Sequence, residues 1–161
     1  MKTLAEAFHH TVQDMYYAEK ALTKALPVVA AAATTAEFKA LVTAHLAETR
    51  QQIILLDKVF ASIKEKPVGV KCDAIDGLIK ETEGIIKEAE GAALETSLIA
   101  VAQAVEHYEI ARYGTLREWA KVLGHTEAHD LLSEILDMEK AANSKLTSLA
   151  VSSVNKMKMV A

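Results

Sequence analysis

Apolar residues recur at three- and four-residue intervals through four long stretches of the chain, the mark of amphipathic helices. In the first, about Leu4 to Ala33, one face carries Leu4, Phe8, Thr11, Met15, Leu22, Leu26 and Val29. Pro27 lies within it and is expected to kink the helix or loosen one turn. Thr34-Thr35 breaks the pattern, and Thr34 with Glu37 has the spacing of a capping box for a second helix. That helix runs to about Lys64 with Phe38, Leu41, Leu55 and Val59 inward, and Pro67-Val68-Gly69 ends it.

Residues 70–92 read differently. Asp73 is an N-cap candidate for a shorter amphipathic helix built on Ile75, Leu78, Ile79, Ile85 and Ile86, weakened by Gly77 and Gly84. The third long helix covers about Ala93 to Leu123 and stops at Gly124, the residue type that favours a left-handed C-terminal position. Thr126 can cap the fourth, which runs to about Ser152, and residues 153–161 are expected to form a frayed tail. Long helices of about 28–30 residues span roughly 42–45 Å. Short loops join antiparallel neighbours, whereas the 70–92 segment is long enough to cross the length of the bundle. The expected fold is all-α: a ferritin-like antiparallel four-helix bundle, a single domain over 1–152. Its long crossover, between helices two and three, contains a short fifth helix.

Extending each apolar stripe through its helix exposes an interruption. The second helix reads Phe38, Leu41, His45, Glu48, Gln52, Leu55, Val59, and the third reads Ala102, Glu106, Glu109, Tyr113, Leu116. The first places Glu19 between Met15 and Leu22, and the fourth places Glu139 between Ile135 and Ala142. Each carboxylate sits near the middle of its helix, and in antiparallel packing the midpoints meet at one level. One polar layer is therefore predicted across the core. An ionised carboxylate buried alone takes up a proton, and five converging without counter-charge repel severely. By helical phase Lys20, Arg50, Arg112 and Lys140 point elsewhere, so no lysine or arginine is expected inward at that level. Two divalent cations would neutralise the layer. Oxygen-rich ligation with an imidazole suits iron or manganese, with zinc as an alternative occupant. The candidate metal ligands are Glu19, His45, Glu48, Glu106, Glu109 and Glu139.

Other polar residues carry less. His9, His10, His125 and His129 fall near bundle ends and are expected to face solvent, and His107 is rotated about 100° from Glu106. Tyr16 and Tyr113, about one turn from Glu19 and Glu109, read as core tyrosines with hydrogen-bonded hydroxyls; a tyrosine near a redox metal can also carry an electron. Cys72 is the single cysteine, which excludes an intramolecular disulfide. A net charge of −4 excludes the concentrated basic face that nucleic-acid binding needs, and no apolar run reaches the roughly 20 residues of a membrane span. The N-terminus lacks a signal pattern, so a cytoplasmic protein is expected.

The segments Tyr16-Tyr17-Ala18-Glu19-Lys20, His45-Leu46-Ala47-Glu48-Thr49 and Lys71-Cys72-Asp73-Ala74 resemble the ferritin-like YciE/YciF bacterial stress proteins. So do Val105 to Ala111 with Tyr113-Gly114-Thr115-Leu116, and Glu139-Lys140-Ala141. The resemblance covers nearly the whole chain in order. It implies a stress-associated helical homodimer related to rubrerythrins and other di-iron or di-manganese bundles, but no settled activity. Those bundles carry Glu-x-x-His on helices two and four. Here helix two has the reverse, His45-x-x-Glu48, and Ala142 and Asn143 stand one turn after Glu139, so the expected site is rich in carboxylate and short of imidazole. Action on peroxide, oxygen or ferrous iron is one expectation. A non-catalytic dimeric stress or structural protein that keeps the polar layer without metal is the alternative, and an iron-storing cage a more remote third. No rubredoxin-like cysteine pairs are present to supply electrons.

Overall fold

A computed structural model describes residues 1–152, all of which belong to helices or their connections. The helices are α1 (Leu4–Ala32), α2 (Ala36–Ser62), α3 (Asp73–Glu88), α4 (Gly91–Val122) and α5 (Thr126–Ser152), with no strand among the described residues. The expected frayed tail, residues 153–161, lies outside them. Every boundary of a long helix falls within two residues of its sequence expectation.

Helix α1 packs on α2 and α4, and α5 packs on α2 and α4, so α1–α5 and α2–α4 are the diagonals of a four-helix bundle. Polar contacts fix the directions. Tyr16 reaches Asp57 (2.8 Å), Gln52 reaches Glu139 (2.5 Å) and Gln103 reaches Thr147 (2.8 Å), each pairing residues that run in opposite senses. Helix α2 ends beside the start of α1, where His9 faces Glu65, and α4 must begin at the other end. The 63–90 crossover covers that distance. It enters past α1, where the Val70 amide donates to the Gln13 carbonyl (3.2 Å), and α3 then lies over the seam between α1 and α4. Gly69 permits the approach: a Cβ there would stand 3.2 Å from the Tyr17 backbone. The topology is the ferritin-like one that the segment lengths predicted.

Several local expectations change. Thr35, not Thr34, caps α2, its hydroxyl accepting from the Phe38 amide (3.2 Å). The reason lies on α4. The buried carboxylate of Glu95 accepts the Thr34 and Thr35 amides (2.6 and 2.8 Å) and both threonine hydroxyls, so Thr34 is drawn out of the capping role. Cys72 occupies the N-cap of α3 without a capping bond, and Asp73 is the first helical residue, bound to Lys71 (2.7 Å). With Asp76 it still places negative charge on the positive end of the helix dipole. Thr126 is likewise the first helical residue of α5. Helix α1 continues through Pro27, which sits on the exposed face where the lost backbone bond meets water. Gly124 holds φ +75° after α4, as its position suggested, and the His125 amide closes on the Ala120 carbonyl (2.9 Å).

The core divides in two. Phe8, Met15, Leu55, Phe60, Tyr113, Leu116 and Leu132 pack toward the end where α1 begins, while Val29, Phe38, Val42, Leu98, Ile99 and Leu146 pack toward the other. His9, His10, His125 and His129 are half-buried rather than solvent-facing, with His9 edge-on to Phe60 and His125 tilted against Phe8 at the end of the first of these cores.

Glu95 ties the α1–α2 turn to α4, and its four hydrogen bonds outweigh burial to hold its carboxyl below the ordinary value of 4.5. Glu95→Ala is expected to lower stability by about 1–3 kcal/mol in urea unfolding, because buried donors lose their acceptor. A depressed carboxylate stabilises above its unfolded pKa and stops doing so as the pH falls through its folded one. The difference between wild type and Glu95→Ala should therefore narrow below about pH 4.5.

Candidate metal centre

Between the two halves of the core lies the polar layer. Glu19, Glu48, Glu106 and Glu139 stand within one residue of the midpoints of α1, α2, α4 and α5, so antiparallel packing of near-equal helices brings them to one height. Buried apolar residues one or two turns away on each helix (Met15 and Leu22, Leu55, Tyr113, Ile135 and Ala142) fix the phase that turns the carboxylates inward. Glu19, Glu109 and Glu139 are wholly buried and Glu106 is 2% exposed.

Four residues come together: His45, Glu106, Glu109 and Glu139 each offer a ligand atom, and these atoms lie within 4.8 Å of one another. His45 Nε2 is 3.4 Å from Glu106 and its Nδ1 3.8 Å from Glu48. Glu19 flanks the cluster, with one oxygen accepting from the Tyr113 hydroxyl and the other without a donor. Gln52 donates to one oxygen of Glu139 (2.5 Å). Both oxygens of Glu109, one each of Glu106 and Glu139, and both ring nitrogens of His45 lack a hydrogen-bond partner. Buried polar atoms in folded proteins are almost always paired, and here the unpaired ones, His9 Nε2 apart, gather in this layer.

Glu48 departs from the expected ring. It is 29% exposed and its carboxylate accepts from Lys145 Nζ at 3.0 Å. The inner faces carry no lysine or arginine at this level, as expected, but a cation reaches the rim of the layer from outside. Helical phase on α5 hides Lys145 from the seam, but its long side chain lies over the bundle surface and delivers the ammonium to α2. The antiparallel register that pairs Gln52 with Glu139 was the available signal, since it also brings residues 48 and 145 opposite each other. Tyr16 binds Asp57 and lies away from the layer, whereas Tyr113 is part of it. His107 is exposed and bonds the Gln103 carbonyl (2.8 Å), with no part in the site.

Protonation follows from burial. Burial, and next the charge of Glu139, pushes Glu19 up to about 8 against the Tyr113 hydrogen bond that holds it down. Burial likewise pushes Glu106 up to about 7. Burial first, then the charges of Glu139, Glu19 and Glu106, drives Glu109 well above the carboxylate range, and burial with the charge and hydrogen bond of Glu106 does the same for Glu139. Burial pulls His45 down, but the carboxylates of Glu48, Glu139 and Glu19 outweigh it and raise the imidazole. Glu48 is held below its ordinary value by His45 first and by Lys145, against its partial burial. The layer is thus a store of bound protons that a cation of higher charge can displace.

Residues 3–158 match the family described as a domain of unknown function, DUF892. The chain belongs to the DUF892 family. Among its relatives, Protein YciF of Escherichia coli K12 is 44% identical over 97% of this chain and 95% of its own. The crystal structure of the E. coli stress protein YciF superposes with a TM-score of 0.93 at 45% identity, covering 97% of this chain and 99% of that one. A Rhodopseudomonas palustris family relative, YcfI, for which a structural role has been suggested, is 48% identical with a TM-score of 0.88, covering 91% of this chain and 94% of its own. At 21% identity, a Xanthomonas campestris protein shares the fold (TM-score 0.77, 95% of each chain). The DUF892 chain has no helix, among the described residues, long and apolar enough to cross a membrane.

A carboxyl whose folded pKa is raised stabilises the fold below its unfolded value, near 4.5, and loses that contribution as pH rises through the folded one. Glu106 at about 7 and Glu19 at about 8 set the window. Metal-free protein is expected to lose several kcal/mol between pH 5 and pH 8 in chemical denaturation, about 3 kcal/mol of it from Glu106 alone. Glu109→Gln should flatten that slope; a slope unchanged by the substitution would show that the layer is not the titrating element.

Proposed function

We propose that this DUF892 protein binds divalent iron or manganese at the mid-bundle layer and serves a redox role in the bacterial stress response. One observation carries the reading: three fully desolvated carboxylates and an imidazole with unpaired atoms converge within 4.8 Å. Ligand atoms at that spacing close on one ion, about 2 Å from each, with small side-chain shifts. His45, Glu106, Glu109 and Glu139 would hold the first ion. Glu19, which faces Glu109, would join Glu109 and Glu139 around a second. Such ions supply one-electron chemistry toward peroxide, oxygen or ferrous iron. The chain's own contribution is to keep the site dry, to fix Glu139 through Gln52 and Glu19 through Tyr113, and to release protons from the layer as cations enter.

A second reading has its own support. Lys145 neutralises Glu48, and Tyr113 and Gln52 already satisfy one oxygen each of Glu19 and Glu139, so a protonated network could hold the bundle without metal. The structural role suggested for the R. palustris relative points the same way. Anaerobic titration with Fe(II) or Mn(II) separates the two. Metal binding at 100 times Kd should raise stability by about 2.7 kcal/mol. Glu109→Gln and His45→Ala should abolish that rise. If metal leaves the melting temperature unchanged and Glu109→Gln stabilises the protein, the network reading holds instead.

A further inference from the structure

Beneath α3, beside the layer, the packing leaves an apolar cavity of about 70 Å³. Leu26, Val29, Val42, Leu98, Val101 and Leu146 form its walls, supplied by α1, α2, α4 and α5. One end is polar, where His45, Glu48, Glu106 and Lys145 line it. The other end lies under α3, where Ala25, Val29, Ile79 and Thr82 also line a surface groove of about 520 Å³ between α1 and α3. The α1–α4 seam is the one face of the bundle bridged by a third helix, so the cavity lies where two long helices do not meet closely.

From this arrangement we infer that the cavity is a binding site and access route for dioxygen, reached from the α1–α3 groove and ending against His45 and Glu106. The inference rests on reading the layer as a metal centre and selects dioxygen as its reactant. Size and chemistry decide the occupant. Away from the polar end, the aliphatic walls withhold the two to four polar partners that a water molecule needs, and apolar space of this scale admits apolar molecules. Hydrogen peroxide would have to leave its hydrogen bonds with water behind, and a hydrated metal ion would lose far more. Dioxygen has no hydrogen bonds to surrender and is small enough for the space.

Dioxygen is paramagnetic and can be tested directly on metal-free protein, independently of whether metal binds. Under dioxygen pressure, methyl relaxation at Val29, Val42 and Leu98 should be enhanced several-fold over that of Val59 and Leu132, which are buried in the other core. Xenon should occupy the same space in pressurised crystals. Ala102→Phe, which fills the cavity from α4, should remove both signals while metal titration is unchanged; Leu26→Ala should enlarge the cavity and strengthen them. Equal enhancement in both cores, or signals that survive Ala102→Phe in a folded protein, would overturn the inference. A protein that takes up xenon and dioxygen but no metal would overturn the proposed function alone.

Discussion

A carboxylate in a low-dielectric core must be neutralised, and the architecture of this protein follows from where that is done. Four helices of similar length each carry one acidic residue at the midpoint, and antiparallel packing stacks those midpoints into one plane. The same plane divides the aliphatic interior into two cores. Buried like charges are tolerable only if protons or cations share them, and burial raises the carboxyls of Glu19, Glu106, Glu109 and Glu139 toward the protonated form. The stability and the chemistry of the bundle are linked through one set of atoms.

The surrounding groups determine how far that poise can move. Tyr113 and Gln52 each spend one hydrogen bond on a carboxylate and leave its second oxygen free, which orients the group without satisfying it. Lys145 does something different. By pairing with Glu48 at the rim it removes one acid from the inner set and marks a polar threshold beside the layer. Glu95, in contrast, shows what a buried carboxylate looks like when it serves structure alone: four donors converge on it and its proton is easily lost. Glu95 and Glu109 are both wholly buried and on the same helix, yet one carboxylate has four donors and the other has no hydrogen-bond partner for either oxygen.

Helix α3 gives the crossover a second role. A connection from α2 to α4 needs only to traverse the bundle, yet this one carries an amphipathic helix that lies along the α1–α4 seam. Tyr17 and Asp76 bind across that contact (2.9 Å), and Cys72 meets the Tyr108 hydroxyl (3.0 Å) on the α4 side. With α3 supplying the roof, α1 and α4 can stand apart far enough to leave space next to the layer without opening the core to water.

By itself the sequence determined the helices, their antiparallel order, the crossover and the inward acidic layer, because each is written in residue spacing within one helix. Periodicity reports which way Glu19, Glu106 or Glu139 faces, and helix length reports its height. Tertiary structure decided what spacing cannot carry. Which of the six candidate residues converge, the pairing of Glu48 with Lys145, the capture of Thr34 by Glu95 and the cavity under α3 all depend on side chains from different helices. Those outcomes turn on a few ångströms of register and on side-chain reach. No stripe on a single helix records them.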